Sequence, residues 1–250
     1  MIDLHYSATP NGQKIAIMLE EIEAPFRVIP YDIFNGDQLT AKFGRINPNH
    51  KLPAIVDHAP NGTDDTCENS DQPVTVFESG AILQYLAEKS GKFLPASGAE
   101  RASVLSWLTW QVAGLGPMGG QASHFLRYAP SGQEYAVKRY TSEMTRLLNV
   151  LEKRLTQSRY VGGDEYSIAD IAIWPGRASA FVLGAEKTTN EWPAMHAWFE
   201  RIRERPAVAR AMGRADLAAP EKYLRRNQKL DQQQWSNMFG EANHRAVKGD

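Results

Sequence analysis

The sequence predicts an α/β domain followed by an all-helical one. Three observations support this. A βαβ-ββα order fills about ninety residues, helical periodicity takes over from about Glu100, and the Gly- and Pro-containing "GKFLPASGAE" lies between them. The implied boundaries are 1–89 for the first domain, 90–99 for the linker, 100–213 for the helical domain and 214–250 for a C-terminal extension.

Ile2, Leu4 and Tyr6 alternate as in a strand, and Ile15, Met18, Leu19 and Ile22 then recur at the spacing of an amphipathic helix. Polar Thr9-Pro10-Asn11-Gly12 stand where that helix begins. "PFRVIPYDI" reads as a second strand, and "FNGDQLTAKFGRINPNHK" holds at most a short helix or two. "LPAIVDH" and "VTVFES" are β-rich, and "SGAILQYLAEKSG" is a helix ending at Gly91. Beyond the linker, "RASVLSWLTWQV", "EYAVKRYTSEMTRLLNVLEKRL", "SIADIAIWPGRASAFVL" and "WPAMHAWFERIRERP" are the long periodic stretches. The polar extension carries one compact apolar cluster, Trp235, Met238 and Phe239, through which it would pack on the surface; disorder is the alternative reading.

The 250 residues are 42% hydrophobic, enough for a substantial core. A formal net charge of -1, from 28 basic and 29 acidic residues, offers no global attraction to nucleic acid or an anionic membrane, so small molecules or proteins are the expected partners. No apolar run is long enough to span a bilayer and none opens the chain as a signal peptide would, which makes the cytoplasm the expected location. The single cysteine, Cys67, sits in the polar loop "APNGTDDTCENSDQP" among acidic neighbours, so it is not an obvious reactive thiol and forms no internal disulfide.

"GLGPMG" at 114–119 matches a dinucleotide fingerprint by letter, but helical residues precede it and Pro117 interrupts it; a helix break or bend is the better reading. The six histidines show no metal-ligand spacing, so no metal is expected. In "KLPAIVD" a proline opens a strand, where either an ordinary trans edge proline or a cis turn fits. Such a turn would leave the Leu52 backbone free to pair with an extended peptide. Glu78 and Ser79 open a helix whose first-turn N–H groups, with the Ser79 hydroxyl, could hold a carboxylate, although a plain cap also fits. Ser167 with Asp170 reads as a capping box, a folding signal, with Tyr166 placed as a staple.

Together these blocks resemble the cytosolic glutathione transferase family over about residues 1 to 213. More narrowly, "TPNGQKI", "NPNHKLPAIVDH", "FESGAILQYLAEK", "WQVAGLGPMGGQ" and "YSIADIAIWP" are similar to the bacterial Nu-class members, which are glutathione-dependent disulfide-bond oxidoreductases. The resemblance implies a thioredoxin-like first domain, a cis Leu52-Pro53 bond, and Leu52 pairing with the cysteinyl part of glutathione. It places the γ-glutamyl pocket on Glu78 and Ser79, the glycyl carboxylate near Lys51, and Gln38 at the pocket's outer edge. Arg139 falls where the Nu-class pattern has an arginine that serves the other subunit, which implies a homodimer. Thr9 and Asn11 are then the residues placed to hold the glutathione thiolate, rather than Tyr6 or Ser7, while Trp110, Gln121, His124 and Phe125 would wall a cleft for two glutathione molecules or oxidised glutathione. The expected activity is glutathione-dependent reduction of small or mixed disulfides. The alternatives are conjugation to electrophiles, ether cleavage, or a non-catalytic regulatory glutathione-binding role.

Overall fold

The computed structural model describes residues 1–60, 72–176, 190–221 and 230–248, so Cys67 lies outside the described residues. These fall into two compact units: Met1–Lys89 together with the described C-terminal residues from Ala211 onward, and Ser90–Arg210.

The first unit is built on a four-stranded sheet in the order β2-β1-β3-β4, made of β1 (Ile2–Tyr6), β2 (Phe26–Pro30), β3 (Ala54–Asp57) and β4 (Val74–Phe77). β1 pairs with β2 in parallel, because the helix α1 (Pro10–Glu21) crosses between them, and β3 runs antiparallel to both β1 and β4. Ile15, Met18 and Leu19 on α1 are fully buried together with Leu4, Ile55, and Ile82, Leu83 and Leu86 of α3 (Ser79–Ser90), so one apolar core is shared by sheet and helices. Gly91, at φ +66°, takes the left-handed position that ends α3. A 3₁₀ turn (Asp37–Leu39) and the short α2 (Ala41–Gly44) fill the polar segment after β2.

The C-terminal extension packs on this unit. Arg214 bridges Glu20 at 3.1 Å and lies 4.4 Å from the Phe26 ring centre, while the Tyr6 hydroxyl donates to the Leu217 carbonyl at 2.9 Å. Trp235 and Phe239, rings 5.2 Å apart, are half-buried, and the buried residue of their helix is Asn237.

The second unit is helical. α4 (Gly98–Trp110) runs into a π-helical turn (Gln111–Leu115) and then α5 (Gly116–Arg127), so "GLGPMG" joins two helices with no strand before it. α6 (Glu134–Leu155) buries Met144, Leu147, Leu148 and Leu151 along one face. α7 (Ile168–Ile173) is shorter than its periodicity predicts: Pro175 has no N–H to continue the ladder, a 3₁₀ turn (Trp174–Gly176) follows, and the remainder of that stretch lies outside the described residues. The capping box at its start is present, and fully buried Asp170 also accepts from the Val161 N–H at 2.9 Å and the Trp198 indole at 2.8 Å. α8 (Pro193–Arg203) supplies that indole.

Candidate active site

The strand register gathers the predicted residues of the first unit. His5, Ala54 and Phe77 form one row across β1, β3 and β4, and Tyr6 stands opposite Pro30 of β2. The chain therefore leaves β1 toward Thr9, enters β3 from Pro53, leaves β4 toward Glu78 and Ser79, and leaves β2 toward Gln38, all from the same end of the sheet.

At this end Thr9 is the N-cap of α1: its backbone is extended and its hydroxyl accepts from the Gly12 N–H at 3.4 Å. A hydroxyl that accepts in this way keeps its own hydrogen to donate outward. Gly12 is required by close packing, since a Cβ there would lie 2.2 Å from the Ser7 carbonyl oxygen. Asn11 is exposed on the first turn, and its amide has no partner among the described residues. Tyr6 and Ser7 are buried, and burial pushes the Tyr6 phenol well above its ordinary value while its hydroxyl is committed to Leu217.

The Leu52-Pro53 peptide is cis, and the Leu52 N–H and C=O have no hydrogen-bond partner among the described residues. The turn is braced from behind: the Asn47 amide donates to the Lys51 carbonyl at 2.7 Å, and His50, at φ +52°, places its ring nitrogen 2.8 Å from the Gln38 carbonyl. Lys51 is exposed as a residue, yet the surrounding protein desolvates its ammonium and pushes the pKa down. The Gln38 side chain is buried, reaching the Asn237 carbonyl at 3.4 Å.

Glu78 occupies the cap position of α3, since its carbonyl accepts from the Ile82 N–H at 2.9 Å, and it does so at φ +68°. A left-handed non-glycine residue costs about 1–2 kcal/mol and persists where the surroundings hold the backbone in place. Ser79 follows as the first helical residue, among N–H groups that have no partner within the helix. Its hydroxyl accepts from the buried Lys14 ammonium at 3.2 Å, so the Ser79 hydrogen is also turned outward.

Sequence reasoning missed Lys14. The available signal was a lysine four residues before Met18 and beside Ile15, on the apolar stripe of α1. His50 and Asn47 were missed as braces because their partners are backbone carbonyls. Arg139 belongs to the helical unit, exposed on α6 and 3.8 Å from Glu143. Trp110 packs edge-on against Trp107, and His124 against Phe125, with both pairs 5.2 Å apart by ring centres; Gln121 is exposed. Among the described residues no group of three or more His, Cys, Asp or Glu could hold a metal ion, and no helix is long and apolar enough to cross a membrane.

Comparison with known proteins places this geometry. Residues 8–89 match the glutathione S-transferase N-terminal domain, and residues 115–206 match the C-terminal domain. The chain is 49% identical over 217 residues to the disulfide-bond oxidoreductase YfcG of Escherichia coli, covering 87% of this chain and 97% of that protein. It is 43% identical to YghU, also named a disulfide-bond oxidoreductase, of the same organism over 84% of this chain and 73% of that protein. A glutathione transferase family member from Pseudomonas fluorescens, solved with two glutathione bound, superposes with a TM-score of 0.74 at 37% identity, covering 84% of this chain and 91% of that one. The Pseudomonas putida enzyme, solved with one glutathione disulfide per subunit, gives a TM-score of 0.74 at 37% identity over 86% and 91% of the two chains. With both of its domains matched and near relatives spanning most of its length, the chain belongs to the glutathione S-transferase family.

Proposed function

We propose that the protein is a glutathione-dependent disulfide-bond reductase whose attacking sulfur belongs to glutathione. The observation that carries this reading is the convergence of Thr9, the cis Leu52-Pro53 turn and Ser79 at one end of the sheet. The names of the two Escherichia coli relatives supply the reaction class. In this reading Leu52 pairs with the cysteinyl backbone, Glu78 and Ser79 hold the γ-glutamyl end, Lys51 and Gln38 attend the glycyl end, and the thiol meets Thr9 and Asn11.

A thiol with pKa near ~8.5 needs a shift of about two units, roughly 2.7 kcal/mol, to be mostly thiolate at neutral pH. The N-terminus of α1 supplies only ~0.3–1 kcal/mol. Hydrogen bonds donated to the charged sulfur by the Thr9 hydroxyl and the Asn11 amide contribute about 1.5–3 kcal/mol each, which closes the gap. The thiolate attacks one sulfur of the substrate disulfide and expels the other as a thiolate, which takes up a proton. A second glutathione thiolate attacks the mixed disulfide, releasing oxidised glutathione and the second reduced thiol. Two glutathione molecules are oxidised and one disulfide is reduced, and no protein thiol takes part. The working unit in this reading is a cytoplasmic homodimer in which Arg139 of each copy reaches the other copy's glutathione.

The test is steady-state reduction of a small glutathione mixed disulfide by the Asn11→Ala and Thr9→Ala enzymes, with oxidised glutathione identified as product. Each loss lowers kcat/KM about 10- to 100-fold. Undiminished turnover in a folded Asn11→Ala enzyme removes Asn11 from the mechanism, and a thioether product removes the reductase reading.

A further inference from the structure

The helix α9 (Gln232–Phe239), in the C-terminal extension, lies beyond the matched family domains, yet its one buried residue reaches the segment that carries Gln38. Asp231 caps α9 and accepts from the Gln234 N–H at 2.8 Å, while the Gln234 side chain accepts from the Asp231 N–H at 3.2 Å. Asn237 is 4% exposed: its amide donates to the Phe34 carbonyl at 2.9 Å, and its side-chain oxygen accepts from Gln233 at 2.9 Å. Gly36, at φ +83°, packs so closely that a Cβ there would lie 2.9 Å from the Asn237 side-chain carbon.

The Asn237 main-chain carbonyl receives the Gln38 amide at 3.4 Å. A carbonyl only accepts, so this contact fixes which way the Gln38 amide faces: its NH₂ turns toward Asn237 and its Oε1 turns away. Gln38 is 3% exposed, and that Oε1 is buried with no hydrogen-bond partner among the described residues. A buried oxygen is out of a ligand's reach, so Gln38 contributes an anchored segment rather than a direct contact. The Gln38 main chain is tied through His50 to the Lys51-Leu52 turn, so the anchor at Asn237 bears on the same braced group as the cis turn.

We propose that Asn237 is a positioning residue for glutathione: by anchoring the Gln38 side chain it steadies the segment whose carbonyl braces His50 and the Lys51-Leu52 turn, and so the Lys51 ammonium that receives the glycyl carboxylate. This rests on the reading of the site given above, in which Gln38 and Lys51 attend the glycyl end. This helix thereby supports the substrate site although it lies outside the matched domains, and it acts on recognition of the glycine rather than on the thiol.

The experiment compares glutathione with γ-glutamylcysteine, which lacks the glycine, in the full-length wild type, Asn237→Ala, Gln38→Ala and double variants. Asn237→Ala raises KM for glutathione about tenfold with kcat unchanged and leaves KM for γ-glutamylcysteine as in the wild type. Gln38→Ala does the same, and the double variant is no worse than Gln38→Ala, because Asn237 acts through Gln38. Additive losses, or an equal rise for both thiols, overturn the proposal, since a general loosening of the unit does not distinguish the two substrates. If Gln38→Ala alone raises KM selectively and Asn237→Ala does not, the positioning role fails and the site reading stands. If Gln38→Ala has no effect, both fail at this position.

Discussion

Lys14 donates from a buried ammonium to the hydroxyl of Ser79 at 3.2 Å, joining the helix that caps at Thr9 to the helix that begins behind Glu78. Burial pushes the Lys14 pKa from 10.5 down to about 7, partly opposed by the charge of Glu78. Between those values the native protein binds fewer protons at Lys14 than the unfolded chain does. The contribution of Lys14 to stability therefore rises with pH across that window, and the penalty is fully present below its lower end. Relative to Lys14→Met, the wild type gains about 2 kcal/mol of unfolding free energy between pH 7 and pH 9. Urea titrations of both proteins at the two pH values measure it. Parallel changes in the two would show that Lys14 does not titrate there.

Tyr6→Phe separates an anchor from a catalytic phenol. Loss of the buried bond to the Leu217 carbonyl lowers stability by about 1 kcal/mol. Disulfide reduction at saturating glutathione stays within about twofold of the wild type, since Thr9 and Asn11 keep their places. A hundredfold loss of kcat would reassign the thiol's partner to Tyr6.

Asp170→Ala leaves the Val161 N–H, the Ser167 N–H and the Trp198 indole without their acceptor in a fully buried position. The expected loss is about 3–5 kcal/mol, enough to lower the yield of folded protein. Asp170→Asn retains one acceptor oxygen and loses less. Equal denaturation midpoints for Asp170→Ala and the wild type would contradict the structural role.

Arg139 is tested by mixing. In the proposed homodimer, Arg139→Ala and Asn11→Ala are each impaired when both copies carry the same change, whereas coexpression gives mixed pairs in which one site has both an intact Asn11 and an arginine from the other chain. Activity recovers in the mixture if Arg139 serves the opposite copy. If Arg139 serves its own chain, every site stays impaired and mixing restores nothing.

Local patterns carried much of the fold into view. Ile15, Met18 and Leu19 mark α1 by their spacing, Thr9 marks its start by residue type, and Gly91 marks the end of α3. These signals act within a turn or two of helix, where sequence neighbours are also spatial neighbours. Pairings over long separations carry no such mark. Lys14 meets Ser79 across 65 residues, and Gln38 meets Asn237 across 199. The extension illustrates the difference: its aromatic cluster is visible in sequence, but the residue that buries most deeply is polar Asn237, whose partners are the Phe34 carbonyl and the Gln38 amide. Pro175 shows the converse, a local breaker overlooked inside a convincing periodic run.

The bond from Tyr6 to Leu217 spans 211 residues, and that from Asn237 to Phe34 spans 203. Translation delivers the two ends of each bond roughly 10–40 s apart at about 5–20 residues per second. The sheet end that gathers the proposed site thus waits for segments made long after its own strands. A nascent chain stalled before Asp231 has Gly36 and Gln38 uncovered, and limited proteolysis of ribosome-bound chains would cut there until α9 emerges. Equal protection before and after its emergence would mean that the first unit completes itself without α9.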